Sequence, residues 1–320
     1  MAESLPVILL TGRINPRVRE GLDGKFEVVT VDGDLSSLDE SVIARARGIA
    51  GFNAAPAELI DQLPALEIIA NFGVGYDGVD TAAAAKRNII VTNTPDVLND
   101  EVADTTIGLL LGTVRRLYDA EKWLRDGKWE NEGPFALSPL SLRDRHVGLY
   151  GLGRIGLEIA KRLEPFKVKI SYHTRSERKD VSYGYYSSLG ELATAVDTLI
   201  CIVPKTPETH KAIDADVLKA LGPNGVMINV GRGWSVDEEA LEAALKSGVI
   251  AAAGLDVFQD EPKVPAGLLD APNLSVLPHI ASASVPTRNA MADLVVANLV
   301  SWFTDGTVLT PVAETPAKTR

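Results

Sequence analysis

Three polar residues stand just beyond short apolar runs in the second half of this 320-residue chain. Arg232 lies in Asn229-Val-Gly-Arg-Gly-Trp234, Glu261 in Gly254-Leu-Asp-Val-Phe-Gln-Asp-Glu-Pro262, and His279 in Leu277-Pro-His-Ile-Ala-Ser282. Each run reads as a buried strand, and open α/β sheets bind ligands outside the carboxyl ends of their strands. An arginine, an acid and a histidine arriving at one such edge suit carbonyl reduction. Arg232 can grip a carboxylate through two parallel hydrogen bonds and polarise the adjacent carbonyl. His279, as imidazolium, can give a proton to the carbonyl oxygen. Glu261 can orient that ring and favour its charged form. Taken singly, each residue has a plainer reading: a surface arginine after a glycine turn, a solvated acid, a structural histidine. His146, His173 and His210 have no comparable setting.

The reductant is suggested by Arg145-His-Val-Gly-Leu-Tyr-Gly-Leu-Gly-Arg-Ile-Gly156, followed by apolar residues at helical spacing, Ile155, Ile159 and Leu163. A strand running into Gly151-x-Gly153-x-x-Gly156 and then a helix is the dinucleotide fingerprint in its proper context. Gly151 permits the tight turn, Gly153 lets the backbone approach a pyrophosphate, and Gly156 lets helix and strand pack closely. Leu152, Arg154 and Ile155 complete the loop, whose N–H groups at the helix start would hold phosphates. About 20 residues on, an NAD protein normally carries a ribose-binding acid. Here the strand ends in Ser171-Tyr-His-Thr-Arg-Ser-Glu-Arg-Lys179, and Glu177 falls slightly late for that task. Arg175 can pair with a 2′-phosphate, with Thr174 and Ser176 as hydroxyl donors and Arg178 and Lys179 as added charge. NADPH is the expected cofactor, NADH a possible one, and no metal is expected; a merely solvated basic loop is the alternative reading.

The net charge of −11 argues against nucleic acid and anionic membrane as partners. Cys201 is the single cysteine, which suits a reducing, cytoplasmic setting. No apolar run approaches the roughly 20 residues of a membrane span. The N-terminal Met-Ala-Glu-Ser-Leu-Pro lacks the pattern of a signal peptide, and the polar end from Glu314 to Arg320 is expected to fray.

Strands and helices alternate along the chain, predicting an α/β fold of two doubly wound parallel sheets. The first hundred residues supply strands near Pro6–Thr11, Phe26–Thr30, Gly48–Phe52, Glu67–Ala70 and Ile89–Thr92. Helices are expected over about 100–117 and 118–125, then a loop from Gly127 to Pro139. A second series of strands begins at Val147. A last amphipathic helix covers Asn289 to Phe303. The fingerprint lies in mid-chain, so a nucleotide domain of residues 98–285 is expected as an insertion in a smaller domain of 1–97 plus 286–320.

Gly-Leu-Gly-Arg-Ile-Gly at 151–156, Asn-Val-Gly-Arg-Gly at 229–233, Leu-Asp-Val-Phe-x-x-Glu-Pro at 255–262 and Leu-Pro-His-Ile-Ala-Ser at 277–282 resemble the D-isomer-specific 2-hydroxyacid dehydrogenases. Val97-Leu-Asn-Asp-Glu-Val-Ala-Asp104, Gly127-Lys-Trp129 and Thr287-Arg-Asn-Ala-Met-Ala-Asp293 are similar to the NADPH-dependent glyoxylate/hydroxypyruvate and hydroxyphenylpyruvate reductases, with Asn99 where many relatives carry threonine. The resemblance implies a flavodoxin-like substrate domain, a Rossmann-like nucleotide domain, a cleft between them and a homodimer. It implies the roles given above for Arg232, Glu261 and His279. It places Val203, Pro204, Val230, Gly231 and Asp256 along the cofactor, Asp256 at the nicotinamide carboxamide. It makes Asn71-Phe-Gly-Val-Gly-Tyr76 the substrate loop, with Val74 and Gly75 N–H groups on the carboxylate; a plain glycine turn is the other reading. Trp129 and Phe135 would reach the partner subunit's cleft or fill the dimer interface. Reduction of small 2-keto acids, glyoxylate and hydroxypyruvate first, is the implied activity. Reduction of 2-ketogluconate or aromatic keto acids, or a nucleotide-sensing corepressor-like role, are the alternatives.

Overall fold

In the computed structural model, which describes residues 5–31, 34–52 and 55–315, the chain divides into two compact units. One comprises residues 1–98 and 284–320, the other 99–283. The first unit holds β1 (Val7–Thr11), β2 (Glu27–Val31), β3 (Ala46–Gly51), β4 (Ile68–Asn71) and β5 (Ile90–Thr92). They form one parallel sheet in the order β2-β1-β3-β4-β5, the order of flavodoxin-like folds. Val7, Leu9, Ile49, Ile69 and Val91 alternate along these strands and pack into one buried cluster with Ile60, Leu63 and Ala84.

The second unit holds β6 (His146–Tyr150), β7 (Lys169–His173), β8 (Gly184–Tyr186), β9 (Thr198–Cys201), β10 (Val226–Asn229), β11 (Ala252–Leu255) and β12 (Leu274–Val276). Its parallel order, β12-β11-β10-β9-β6-β7-β8, reverses between β6 and β9. Both faces are covered, as an all-parallel sheet requires. Leu199, Cys201, Met227, Ala253 and Leu255 face helices 189–195, 215–221 and 238–247. Val147, Leu149, Ile200 and Ile228 face helices 99–115 and 154–163. That two-sided burial is why these strands read as continuous apolar runs rather than alternating ones.

Buried Arg145 fixes the opposite edge of this sheet. Its guanidinium donates to Thr198 Oγ1 and the Asn224 carbonyl, each at 2.6 Å, and pairs with Asp197 at 3.0 Å. It thereby ties together the chain entering β6, β9 and β10.

Four local readings need correction. Residues Lys128–Glu132 form a short helix where a loop is expected. Gly127 at φ +70° and Gly133 at φ +93° bracket it, and five residues are too few to show a helical period. The edge strand β8 is absent from the sequence reading, because Gly-Tyr-Tyr carries no apolar run and pairs with β7 alone. The last helix runs Val285–Asp305, starting earlier than expected; Ser284 caps it by accepting from the Thr287 N–H, and a proline occupies its first turn. This helix packs within the first unit, where Arg17 pairs with Asp293 at 2.6 Å. The fraying expected from Glu314 is not seen at Thr315. Thr315 is buried and its hydroxyl accepts from the Val91 N–H at 2.8 Å. Residues 316–320, and residues 1–4 of the N-terminal reading, lie outside the described residues. No helix among the described residues is long and apolar enough to cross a membrane.

Candidate active site

The site of the second unit grows from the carboxyl ends of β6, β7, β9, β10 and β11. At the end of β6, Gly151 adopts φ +102°, and a Cβ there would lie 2.7 Å from the Ile202 carbonyl oxygen. A Cβ at Gly156 would lie 2.4 Å from the Gly151 carbonyl oxygen, so helix 154–163 can start this close only on glycine. Gly153 differs: a Cβ there would meet nothing within 4 Å, and no side chain caps the helix start. Leu152 is buried, while Gly153 and Arg154 are exposed and Ile155 is half-buried. Two glycines demanded by packing and one facing open space suit a loop that receives a phosphate.

The loop after β7 carries Thr174, Arg175 and Ser176. The Thr174 hydroxyl donates to the Ser176 carbonyl at 2.7 Å, and Arg175 and Ser176 are exposed. Two of the expected cations are otherwise engaged. Arg178 pairs with Asp180 and donates to the Leu152 carbonyl at 2.7 Å, and Lys179 pairs with Glu177. Arg178 thus braces the glycine loop. After β9 and β10, Val203 and Val230 are buried, Pro204 is exposed, and a Cβ at Gly231 would come within 2.9 Å of the Val203 carbonyl oxygen.

Arg232 follows a turn shaped by the fully buried Asn229. The Asn229 amide donates to the Arg232 carbonyl at 2.9 Å and its oxygen accepts from the Gly231 N–H at 3.1 Å. Next in line, a Cβ at Gly233 would collide with the Phe258 carbonyl carbon at 1.8 Å. This contact presses the Arg232 turn against the loop that bears Glu261. Buried Glu238 holds the same loop by accepting from the Gln259 N–H at 2.7 Å, and its burial raises its pKa.

Glu261 Oε1 accepts from the Phe258 N–H at 3.0 Å, and Oε2 lies 2.7 Å from His279 Nδ1. A carboxylate only accepts, so Nδ1 carries a proton and Nε2 is left for a substrate. Burial pushes the Glu261 carboxyl up. Hydrogen bonds from His279 and Phe258 and the charges of His279 and Arg232 outweigh it, and the net shift is downward. The structure thus brings His279 into direct contact with Glu261 and places Arg232 within electrostatic reach of the same carboxylate.

His279 itself adopts φ +52°, a left-handed conformation that costs a non-glycine residue about 1–3 kcal/mol. Asp256 offsets that strain. Its side chain is wholly buried, Oδ1 accepts from the Ile280 N–H at 2.8 Å and Oδ2 from the Ala281 N–H at 3.0 Å. The Asp256 carbonyl accepts from the His279 N–H at 2.8 Å. Burial raises the Asp256 pKa against those two N–H donors. Asp256, which the resemblance sets at the nicotinamide carboxamide, thus also holds the histidine segment. The motif was visible; the clamp was not, because it depends on backbone N–H direction. His210, given no setting by the sequence, stacks on Trp234 with ring centroids 3.9 Å apart. His146 Nε2 bonds Ser171 Oγ at 2.8 Å, and His173 Nδ1 bonds the Tyr186 carbonyl at 2.9 Å.

In the first unit, Asn71-Phe-Gly-Val-Gly-Tyr76 follows β4. The Asn71 amide donates to the carbonyls of Gly73 and Gly75, and Asn93 donates to the Val74 carbonyl at 2.9 Å. The carbonyls are therefore engaged, while the Val74 and Gly75 N–H groups meet no acceptor among the described residues. Half-buried N–H groups without acceptors fit an anion-binding loop.

A parallel sheet in Rossmann order, a glycine loop at its switch point and a paired histidine and acid on the same edge define a dinucleotide-dependent oxidoreductase. Residues 107–281 match the family described as "D-isomer specific 2-hydroxyacid dehydrogenase, NAD binding domain". The chain belongs to the D-isomer-specific 2-hydroxyacid dehydrogenases. It is similar to a solved NADPH-dependent glyoxylate/hydroxypyruvate reductase of Sinorhizobium meliloti in complex with NADP and malonate, at 60% identity, 99% coverage of both chains and a TM-score of 0.96. It is 49% identical to a hydroxyphenylpyruvate reductase of Plectranthus scutellarioides over 81% of this chain and 82% of that protein. It is 40% identical to a 2-ketogluconate reductase of Gluconobacter oxydans over 97% of this chain and 99% of that protein.

Two outcomes are expected. A carboxyl held low in the fold adds stability that is full above the unfolded value, about pH 4.3, and is lost as pH falls through the lowered folded value. The melting temperature between pH 7 and pH 3 should therefore fall more steeply for the native protein than for Glu261→Gln; parallel curves would refute the pairing. In Asp256→Asn, the amide NH2 must face a backbone N–H. Turnover should drop by roughly 100-fold with the cofactor KM little changed. A raised cofactor KM with normal turnover would mark a carboxamide contact instead.

Proposed function

We propose that this protein reduces glyoxylate, hydroxypyruvate and related small 2-keto acids to D-2-hydroxy acids, with NADPH preferred over NADH. The observation that carries this is the 2.7 Å contact of His279 Nδ1 with Glu261 Oε2, on the edge that bears the glycine loop and Arg232. The nicotinamide cofactor, when bound, supplies the hydride for the keto carbon. His279 gives the Nε2 proton to the carbonyl oxygen, and Glu261 stabilises the imidazolium before transfer. Arg232 grips the substrate carboxylate, with the Val74 and Gly75 N–H groups as further donors. Residues 151–156, Val203, Pro204, Val230 and Gly231 line the cofactor, and Arg175 with Thr174 and Ser176 takes the 2′-phosphate. In this reading residues 98–285 serve the nucleotide and residues 1–97 with 286–320 serve the substrate. The buried single Cys201 agrees with a cytoplasmic setting.

A homodimer belongs to the same reading. Helix Leu117–Arg125 buries none of its residues, and Leu124, Trp129 and Leu137 are 55%, 63% and 94% exposed. Apolar exposure on this scale asks for a partner surface, here a second copy. Trp123 packs edge-on against Phe135 with ring centroids 5.8 Å apart, which ties helix Leu117–Arg125 to the segment after Gly133.

The 40% identity to a 2-ketogluconate reductase over nearly the whole chain supports a second reading, a larger sugar-acid substrate. Assaying glyoxylate, hydroxypyruvate, 2-ketogluconate and an aromatic keto acid with each cofactor separates them. NADPH should exceed NADH at least about tenfold in kcat/KM with the two small acids; a tenfold preference for NADH would refute the role of Arg175. His279→Ala should lose about 100-fold or more in turnover. Sedimentation should give a dimer that Leu124→Asp weakens; a monomeric native protein overturns that part.

A further inference from the structure

The helix Val285–Asp305 brings into the first unit a cation that the reading above does not use. Arg288 lies in its first turn, its backbone N–H donating to the Ser284 carbonyl at 2.9 Å. Its guanidinium carbon sits 5.9 Å from the centre of the Phe72 ring, and Phe72 is a buried member of the loop carrying the Val74 and Gly75 N–H groups. The side chain is half-buried, yet it makes no hydrogen bond or ion pair with any described residue. Other arginines of this unit are paired: Arg17 with Asp293, Arg45 with Glu27, and Arg87 with the carbonyls of Ile60 and Leu63. Desolvation lowers the Arg288 pKa, and no neighbouring carboxylate opposes it. Removing a guanidinium from water without an acceptor is unfavourable, and the ring below supplies only part of the compensation. An oxygen-bearing ligand beside the loop would supply the rest. Phe52, 44% exposed, stands next to Gly73: a Cβ there would lie 3.9 Å from its ring. Arg288 and Phe52 thus both stand against the loop that carries the two unengaged N–H groups, Arg288 at Phe72 and Phe52 at Gly73.

We infer that Arg288 is a specificity-determining residue that binds an oxygen on the carbon beyond the ketone of a 2-keto acid. Hydroxypyruvate carries such an oxygen as a hydroxyl; glyoxylate has no such carbon. The inference rests on the keto-acid reading of the same loop. A guanidinium presents several N–H donors in a fixed fork, so a lysine would replace its charge but not its geometry.

The test compares kcat/KM for hydroxypyruvate and glyoxylate in the native protein, Arg288→Met and Arg288→Lys. In Arg288→Met the hydroxypyruvate value should fall at least about ten times further than the glyoxylate value, the loss lying mainly in KM, with Lys intermediate. Equal losses for both acids would overturn the inference, since Arg288 would then serve the shared carboxylate or hold the loop. No loss for either would also overturn it. A native protein inactive on both acids would instead refute the keto-acid reading, and this inference with it. Arg288→Gln provides the same comparison should the methionine variant fail to fold.

Discussion

The edge of the second sheet depends on one buried carboxylate. Asp256 is wholly desolvated, and two backbone N–H groups of the segment after His279 point at its oxygens. Without them the segment would have little reason to hold His279 at φ +52°. Charge-assisted bonds to backbone N–H groups are among the stronger hydrogen bonds, and here they act where water cannot compete. The histidine ring then needs only one partner to settle its direction, and Glu261 supplies it. A strained backbone, a buried acid and an orienting acid form one chain of dependence, each link local to the second unit.

Much of this was legible because strong sequence signals coincide with strong physical demands. The two-sided burial of the central strands leaves continuous apolar runs such as Leu199–Cys201 and Val226–Ile228. Gly151 and Gly156 are fixed by φ and by contact distance, so the fingerprint is a steric requirement before it is a motif. Arg232, Glu261 and His279 stood out because charged residues just after apolar strands have few structural uses. What stayed hidden depends on contacts that no periodicity records. Asn229 looks like one more motif letter, yet both ends of its amide fold the Arg232 turn. Arg178 reads as free positive charge until its pairing with Asp180 and Leu152 is seen. Phe52 belongs to no motif, and Arg288 falls in residues 287–293, a stretch that resembles the family without disclosing what its arginine touches. The short elements Lys128–Glu132 and β8 are set by glycine conformations and by edge pairing, below the length at which a pattern can form.

The same contacts explain how an acidic protein can handle an anion. With a net charge of −11, the chain's average field opposes a keto acid or a phosphate. Local geometry has to reverse that sign, and it does so mostly with dipoles. The unengaged N–H groups of Val74 and Gly75, and the uncapped start of helix 154–163, carry partial positive charge without adding a formal charge. Formal cations are rationed by pairing: Arg162 faces Asp100, Asp104 and Glu158, and Arg145 faces Asp197. An arginine held by carboxylates contributes little field to a ligand, whereas one beside an aromatic ring keeps its donors available. The Arg288 guanidinium carbon sits 5.9 Å from the centre of the Phe72 ring. Neutral supports of this kind hold a guanidinium in place while leaving its charge to be answered by the substrate, so selectivity for an anion can arise on a surface that as a whole repels one.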